Sequence, residues 1–235
     1  MSRLPALMLL LATIAFGLAP LVTPPFTGYD PTMFPVRIER PAIQPAGYAF
    51  AIWSVIYLWL ILHAGFGLWK RAEDAFWAPV RLPLTAAVVV GAVWLWIAGV
   101  SAIWGTVTIW IMAGAALLAF LRAPTEPDRW LLSGPLAIFA GWLTAASAVS
   151  TGVLVAGYGV LSDTGAALAM LGLVLVIALV VQARKARMPV YGLTVIWALA
   201  GVIAVNRGDN VLVAGAAAVG AVVMLGTLAW RWRRS

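Results

Sequence analysis

Long apolar runs broken by short polar clusters set the pattern of this chain. It shows neither the strict alternation of a half-buried strand nor the one-sided stripe of a soluble helix. Eight runs of about 20 residues, the length a helix needs to cross a hydrocarbon core, can be drawn. They are Leu4 to Val22, Gly47 to Trp69, Leu84 to Val100, Trp104 to Leu121, Trp130 to Ser150, Ser162 to Ala183, Pro189 to Val205 and Val211 to Trp230. The third and fourth share one uncharged stretch, Leu84 to Leu121. As a single helix it would reach roughly 57 Å at 1.5 Å per residue, against a core about 30 Å thick. It is therefore read as a tight hairpin near Ser101. The pattern predicts an all-α, polytopic membrane helical bundle of eight transmembrane helices.

Charge gives the bundle a direction. With the N-terminus inside, one side carries Arg3, Lys70, Arg71, Arg81, Arg122, Arg129, Arg184, Lys185, Arg187, Arg231, Arg233 and Arg234. The other side carries only Arg37, Arg40 and Arg207. Twelve cations against three fit the positive-inside rule, so both termini are expected in the cytoplasm. Trp69, Trp77, Trp130, Trp230 and Trp232 fall at the predicted cytoplasmic ends, where an indole buries its ring and wets its N–H. Arg3, the apolar run after it and Gly17-Leu18-Ala19 also fit a cleavable signal peptide. Pro20 after the cut disfavours that, and the first helix is expected to be retained.

Composition excludes a soluble protein. Hydrophobic residues make up 64% of the 235 and charged residues 10%, with a mean hydropathy of +1.01, against roughly 45–50% and 25% in soluble domains. There is no cysteine, hence no disulfide or thiolate chemistry. Net charge is +7, but the cations sit in short clusters between apolar runs, which excludes a nucleic-acid partner. Arg outnumbers Lys thirteen to two, which points to a GC-rich bacterial genome; a multi-pass protein of the bacterial inner membrane is expected.

Few residues can carry chemistry. The acids Asp30, Glu39, Glu73, Asp74, Glu126, Asp128, Asp163 and Asp209 all lie in loops or at helix ends, which argues against an ion-driven carrier. Asp163 reads as part of the N-cap region of the sixth helix. His63 is the sole histidine; a hydrogen bond to a neighbouring helix is favoured over haem ligation, and no metal site is expected. No nucleophile–base pair or phosphate loop can be assembled, so no enzyme is expected.

Aromatic residues remain. Thirteen tryptophans exceed what interfacial belts require. Phe50, Trp53 and Tyr57, at i, i+3 and i+7, share one stripe of the second helix. Trp94 and Trp96 sit toward the outer end of the third helix, and Trp142 in the outer half of the fifth. Trp53 lies about 9 Å and Trp142 about 12 Å below the outer ends of their helices, similar depths for one cavity. Above them runs a loop, 23–46, with six prolines (Pro24, Pro25, Pro31, Pro35, Pro41, Pro45), stiff enough to act as a lid.

The stretch from Pro45 to Tyr57, Pro-Ala-Gly-Tyr-Ala-Phe-Ala-Ile-Trp-Ser-Val-Ile-Tyr, resembles the start of the second helix in the tryptophan-rich sensory protein family, bacterial relatives of the mitochondrial translocator protein. Trp53 and Tyr57 keep that family's four-residue spacing, with Phe50 one residue closer to Trp53. Pro135 and the run Gly141 to Ala146 resemble its fifth helix, and Gly91-Ala92-Val93-Trp94 its third-helix Asn-x-x-Trp. Gly91 and Ser150 stand where that pattern has asparagines. The resemblance implies a TspO-like five-helix domain over 1–150 and a three-helix membrane extension over 151–235. It also implies a non-enzymatic receptor, carrier or sensor for a flat hydrophobic ligand such as a tetrapyrrole (porphyrin), with Phe50, Trp53, Tyr57, Trp94, Trp142 and Ser150 as ligand-binding residues.

Besides lipid and such a ligand, a homodimer or a larger membrane complex is a possible partner. Small residues at packing spacing, Ala216 and Gly220, motivate an accessory or assembly subunit as the alternative. A facilitative transporter is the third reading.

Overall fold

A computed structural model describes residues 3–232; Arg233 and Arg234 of the basic cluster lie outside the described residues, as does the side chain of Trp232. Eight α-helices and no strand occur among the described residues: α1 (Leu4–Leu18), α2 (Ile52–Lys70), α3 (Ala78–Val100), α4 (Ala102–Arg122), α5 (Gly134–Gly157), α6 (Asp163–Arg184), α7 (Val190–Asn206) and α8 (Val211–Trp232). Seven helical spans are long and apolar enough to cross a membrane, while α7 has 17 residues. The α3–α4 hairpin turns on Ser101 alone, which is extended (φ −149°, ψ 116°) and accepts a hydrogen bond from the Trp104 N–H at 3.3 Å.

Two helix boundaries differ from the sequence reading by six residues or more, and α2 starts at Ile52 after a 3-10 turn, Gly47–Ala51. Helix α3 begins at Ala78 rather than Leu84, because Pro79 suits a first turn that needs no amide donor there. Arg81 consequently lies inside α3; it is buried and its guanidinium donates to the Arg71 carbonyl. Helix α5 runs on past Ser150 to Gly157 and is preceded by a π-turn, Arg129–Ser133. Measured from that true end, Trp142 lies about 22 Å down at 1.5 Å per residue. The last turns of α5 rise beside the long loop, where the Val36 N–H donates to the Gly157 carbonyl at 2.9 Å.

The core is built around α5, of whose 24 residues 19 are buried. It packs on α2, α4, α6 and α7. Small side chains permit this: a Cβ on Gly141 would lie 2.8 Å from the Tyr191 carbonyl oxygen and 2.9 Å from Thr194 Cβ, so glycine sets the closeness of α5 and α7. The Ala216 and Gly220 stripe faces inward too. Ala216 packs on the core and Gly220 lies against Leu199 of α7, so that stripe serves the chain's own packing.

One end of the bundle gathers basic residues. Arg71 pairs with Asp128, Lys185 donates to the Ala123 carbonyl, and Arg231 donates to the Ala183 carbonyl. Trp69, Trp130 and Trp230 are exposed there, as an interfacial belt requires. Trp77 is not; it is 1% exposed, because its indole N–H donates to Asp128 Oδ2 at 2.8 Å and its ring stacks on His63. His63 is buried and its Nδ1–H donates to the Leu131 carbonyl at 2.7 Å, a bond to the π-turn before α5.

Candidate functional site: an aromatic cavity under a tied loop

At the end opposite the basic cluster, rings from separate helices surround a cavity of about 330 Å³. All six residues singled out from the sequence line it: Phe50, Trp53 and Tyr57 of α2 and the turn before it, Trp94 of α3, and Trp142 and Ser150 of α5. Trp53 stacks on Tyr57 with centroids 5.4 Å apart and planes 17° apart. It meets Trp142 edge to face at 6.2 Å, and Phe50 meets Trp142 the same way at 5.9 Å. Such edge contacts hold aromatic walls in place. Trp94 is fixed by its own indole N–H, which donates to the Gly105 carbonyl across the α3–α4 hairpin at 2.8 Å. Trp96 turns away and is exposed; two residues along a helix is about 200°, so it cannot share Trp94's face.

Residues the sequence reading passed over complete the walls. Phe16 of α1 meets Tyr57 at 4.9 Å and Trp53 at 6.0 Å, both edge to face. Helices α6 and α7 supply Leu171, Val174, Ala198, Leu199 and Val202. No local pattern could have found these five, since apolar positions facing a cavity and facing lipid look alike in sequence. Tyr29 had a signal: with Phe26 and Phe34 it is one of three aromatic residues in an otherwise proline-rich loop.

Loop 23–46 closes the cavity from above. Phe26 meets Trp94 at 5.0 Å, and Tyr29 shares a 2.7 Å hydrogen bond with Ser150, which shares another of 2.7 Å with Thr106. Burial pushes the Tyr29 phenol above its usual range, so it stays protonated and available for this bond. The clamps on the loop's second half come from α6 and α7. The Asp163 carboxylate accepts from the Ala42 N–H at 3.1 Å, Asn206 Nδ2 donates to the Ala42 carbonyl at 2.8 Å, and the Ala46 N–H donates to the Gly201 carbonyl at 3.1 Å. Asp163 is thus a loop clamp; Ser162 caps α6, accepting from the Gly165 N–H at 3.1 Å.

Gly91 and Ser150, where the resemblance expects asparagines, are each explained by a neighbour. A Cβ at 91 would fall 2.5 Å from Phe16 Cε2, so Phe16 fills that place. Ser150 spends its hydroxyl on Tyr29 and Thr106.

Comparison with known families gives one match. A family profile described as TSPO-like protein matches residues 7–230, nearly the whole chain, α6 to α8 included. Neither the curated proteins nor the solved structures give a match.

Proposed function

We propose, from the premise that this chain belongs to the TSPO-like protein family, that it is a non-enzymatic membrane receptor or carrier for a flat hydrophobic ligand, with a tetrapyrrole as the leading class. The observation that carries the reading is a single cavity walled by stacked and edge-on aromatic rings and covered by a fixed loop. Its volume falls at the lower end of the range for small-molecule sites, roughly 300–1,000 Å³. Phe50, Trp53, Tyr57, Trp94 and Trp142 supply flat apolar faces, and Ser150 ties the covering loop to the wall. The cavity takes residues from both sides of position 150, so segments 1–150 and 151–235 act on the ligand as one unit. The chain crosses a bacterial inner membrane eight times with both termini cytoplasmic, a reading supported by the gathering of basic residues at one end.

The test is intrinsic fluorescence. The purified protein is titrated with a porphyrin in free-acid and in esterified form. Saturable quenching by at least one form, reduced in Trp53→Ala and Trp142→Ala, is expected. If neither form quenches saturably, or both variants quench like the parent, the pocket reading fails.

A further inference from the structure

We propose that this cavity selects an uncharged ligand and rejects the same ring system when it carries ionised carboxylates; the inference rests on the receptor reading and specifies what that site accepts. The chain has 15 cationic and 8 acidic side chains, and none of those among the described residues lines the cavity. The charged residues on the covering loop, Asp30, Arg37, Glu39 and Arg40, are exposed. Asp30 also spends its carboxylate on the N–H and hydroxyl of Thr32. The one imidazole, His63, is bound to the Leu131 carbonyl and does not line the cavity. A buried carboxylate would therefore find no counter-charge.

Five of the neutral polar side chains in the lining are spent on the protein itself, and the rest are donors that carry no charge. Tyr29 and Ser150 bond each other, Thr23 donates to the Ala19 carbonyl, Gln44 to the Thr27 carbonyl and Trp94 to the Gly105 carbonyl. Four neutral donors stand apart, lining the cavity with no protein partner among the described residues: the indole N–H groups of Trp53 and Trp142, and the hydroxyls of Ser54 and Tyr57, three residues apart on α2. Neighbours at i and i+3 can serve one ligand group together. An ester, ketone or hydroxyl is satisfied by one or two such bonds. A carboxylate stripped of water is not, and unpaired burial of an ion costs the equivalent of more than about a hundredfold in affinity.

The experiment uses the full chain in lipid nanodiscs at neutral pH, with protein-free nanodiscs as blank. Protoporphyrin IX and its dimethyl ester are titrated separately, and only the quenching lost in Trp53→Ala is scored. The ester is expected to bind saturably and the diacid about a hundredfold or more weaker. Tyr57→Phe is expected to weaken the ester about threefold to tenfold, the worth of one neutral hydrogen bond. A diacid that binds as tightly as the ester overturns this inference and leaves the receptor reading standing. Failure of both to bind overturns the receptor reading itself, and this inference with it.

Discussion

Gly91 and Phe16 contend for the same space. Besides the 2.5 Å contact with Phe16 Cε2, a Cβ at 91 would lie 2.8 Å from Phe16 Cδ2 and 3.0 Å from Met112 Cε. A benzyl ring held between Trp53, Tyr57 and Phe139 cannot swing away freely. Gly91→Asn is therefore expected to lower thermal stability by about 1–3 kcal/mol, the usual cost of overpacking. Phe16→Ala opens a cavity by itself, but combined with Gly91→Asn the total loss should fall short of the sum. Simple additivity of the two unfolding free energies would show that the residues do not share the space.

At the scale of elements, the basic end of the bundle is fastened by one carboxylate. Asp128, before the π-turn, accepts from Arg71 Nε at 2.8 Å and Arg71 Nη2 at 3.2 Å, and from the Trp77 indole at 2.8 Å. It joins the end of α2, the start of α3 and the approach to α5. The Arg71 hydrogen bonds, working against partial burial and aided by Trp77, hold the Asp128 carboxyl below its usual range. Its folded value is thus depressed relative to the unfolded chain. The stability it adds is present above the ordinary carboxylate range and is lost as pH falls through that range toward the folded value. Thermal midpoints measured from neutral to acid pH should drop for the parent and drop less for Asp128→Asn. Asp30, also held low by Thr32, keeps part of the slope in the variant. Equal slopes in both proteins would remove Asp128 from this role.

For the whole molecule, the arrangement of loops makes a topological claim that is simple to check. Arg37 lies on the covering loop and Arg187 between α6 and α7, at opposite ends of the bundle, and both are exposed. The chain has no cysteine, so single replacements report without background. In intact cells a membrane-impermeant maleimide should label Arg37→Cys directly, and Arg187→Cys only after the membrane is opened. Labelling of both from one side would contradict an eight-crossing path. The same clamps that tie loop 23–46 to α6 and α7 make the C-terminal helices part of the site, although the motifs of the resemblance end near residue 150.

The sequence by itself determined that the chain is a bundle of apolar helices, that Ser101 turns a hairpin, and that Phe50, Trp53 and Tyr57 share a stripe. Those follow from run length and the 3.6-residue period, which are local properties. Only the tertiary structure decided that Phe16 displaces a side chain at 91, that Trp77 is interior while Trp96 is exposed, and that α6 and α7 form the far wall and hold the lid. In a helix apolar on every face, the contrast that marks the inward side of a soluble helix is absent, so lipid-facing, core and cavity positions read the same until the helices are packed.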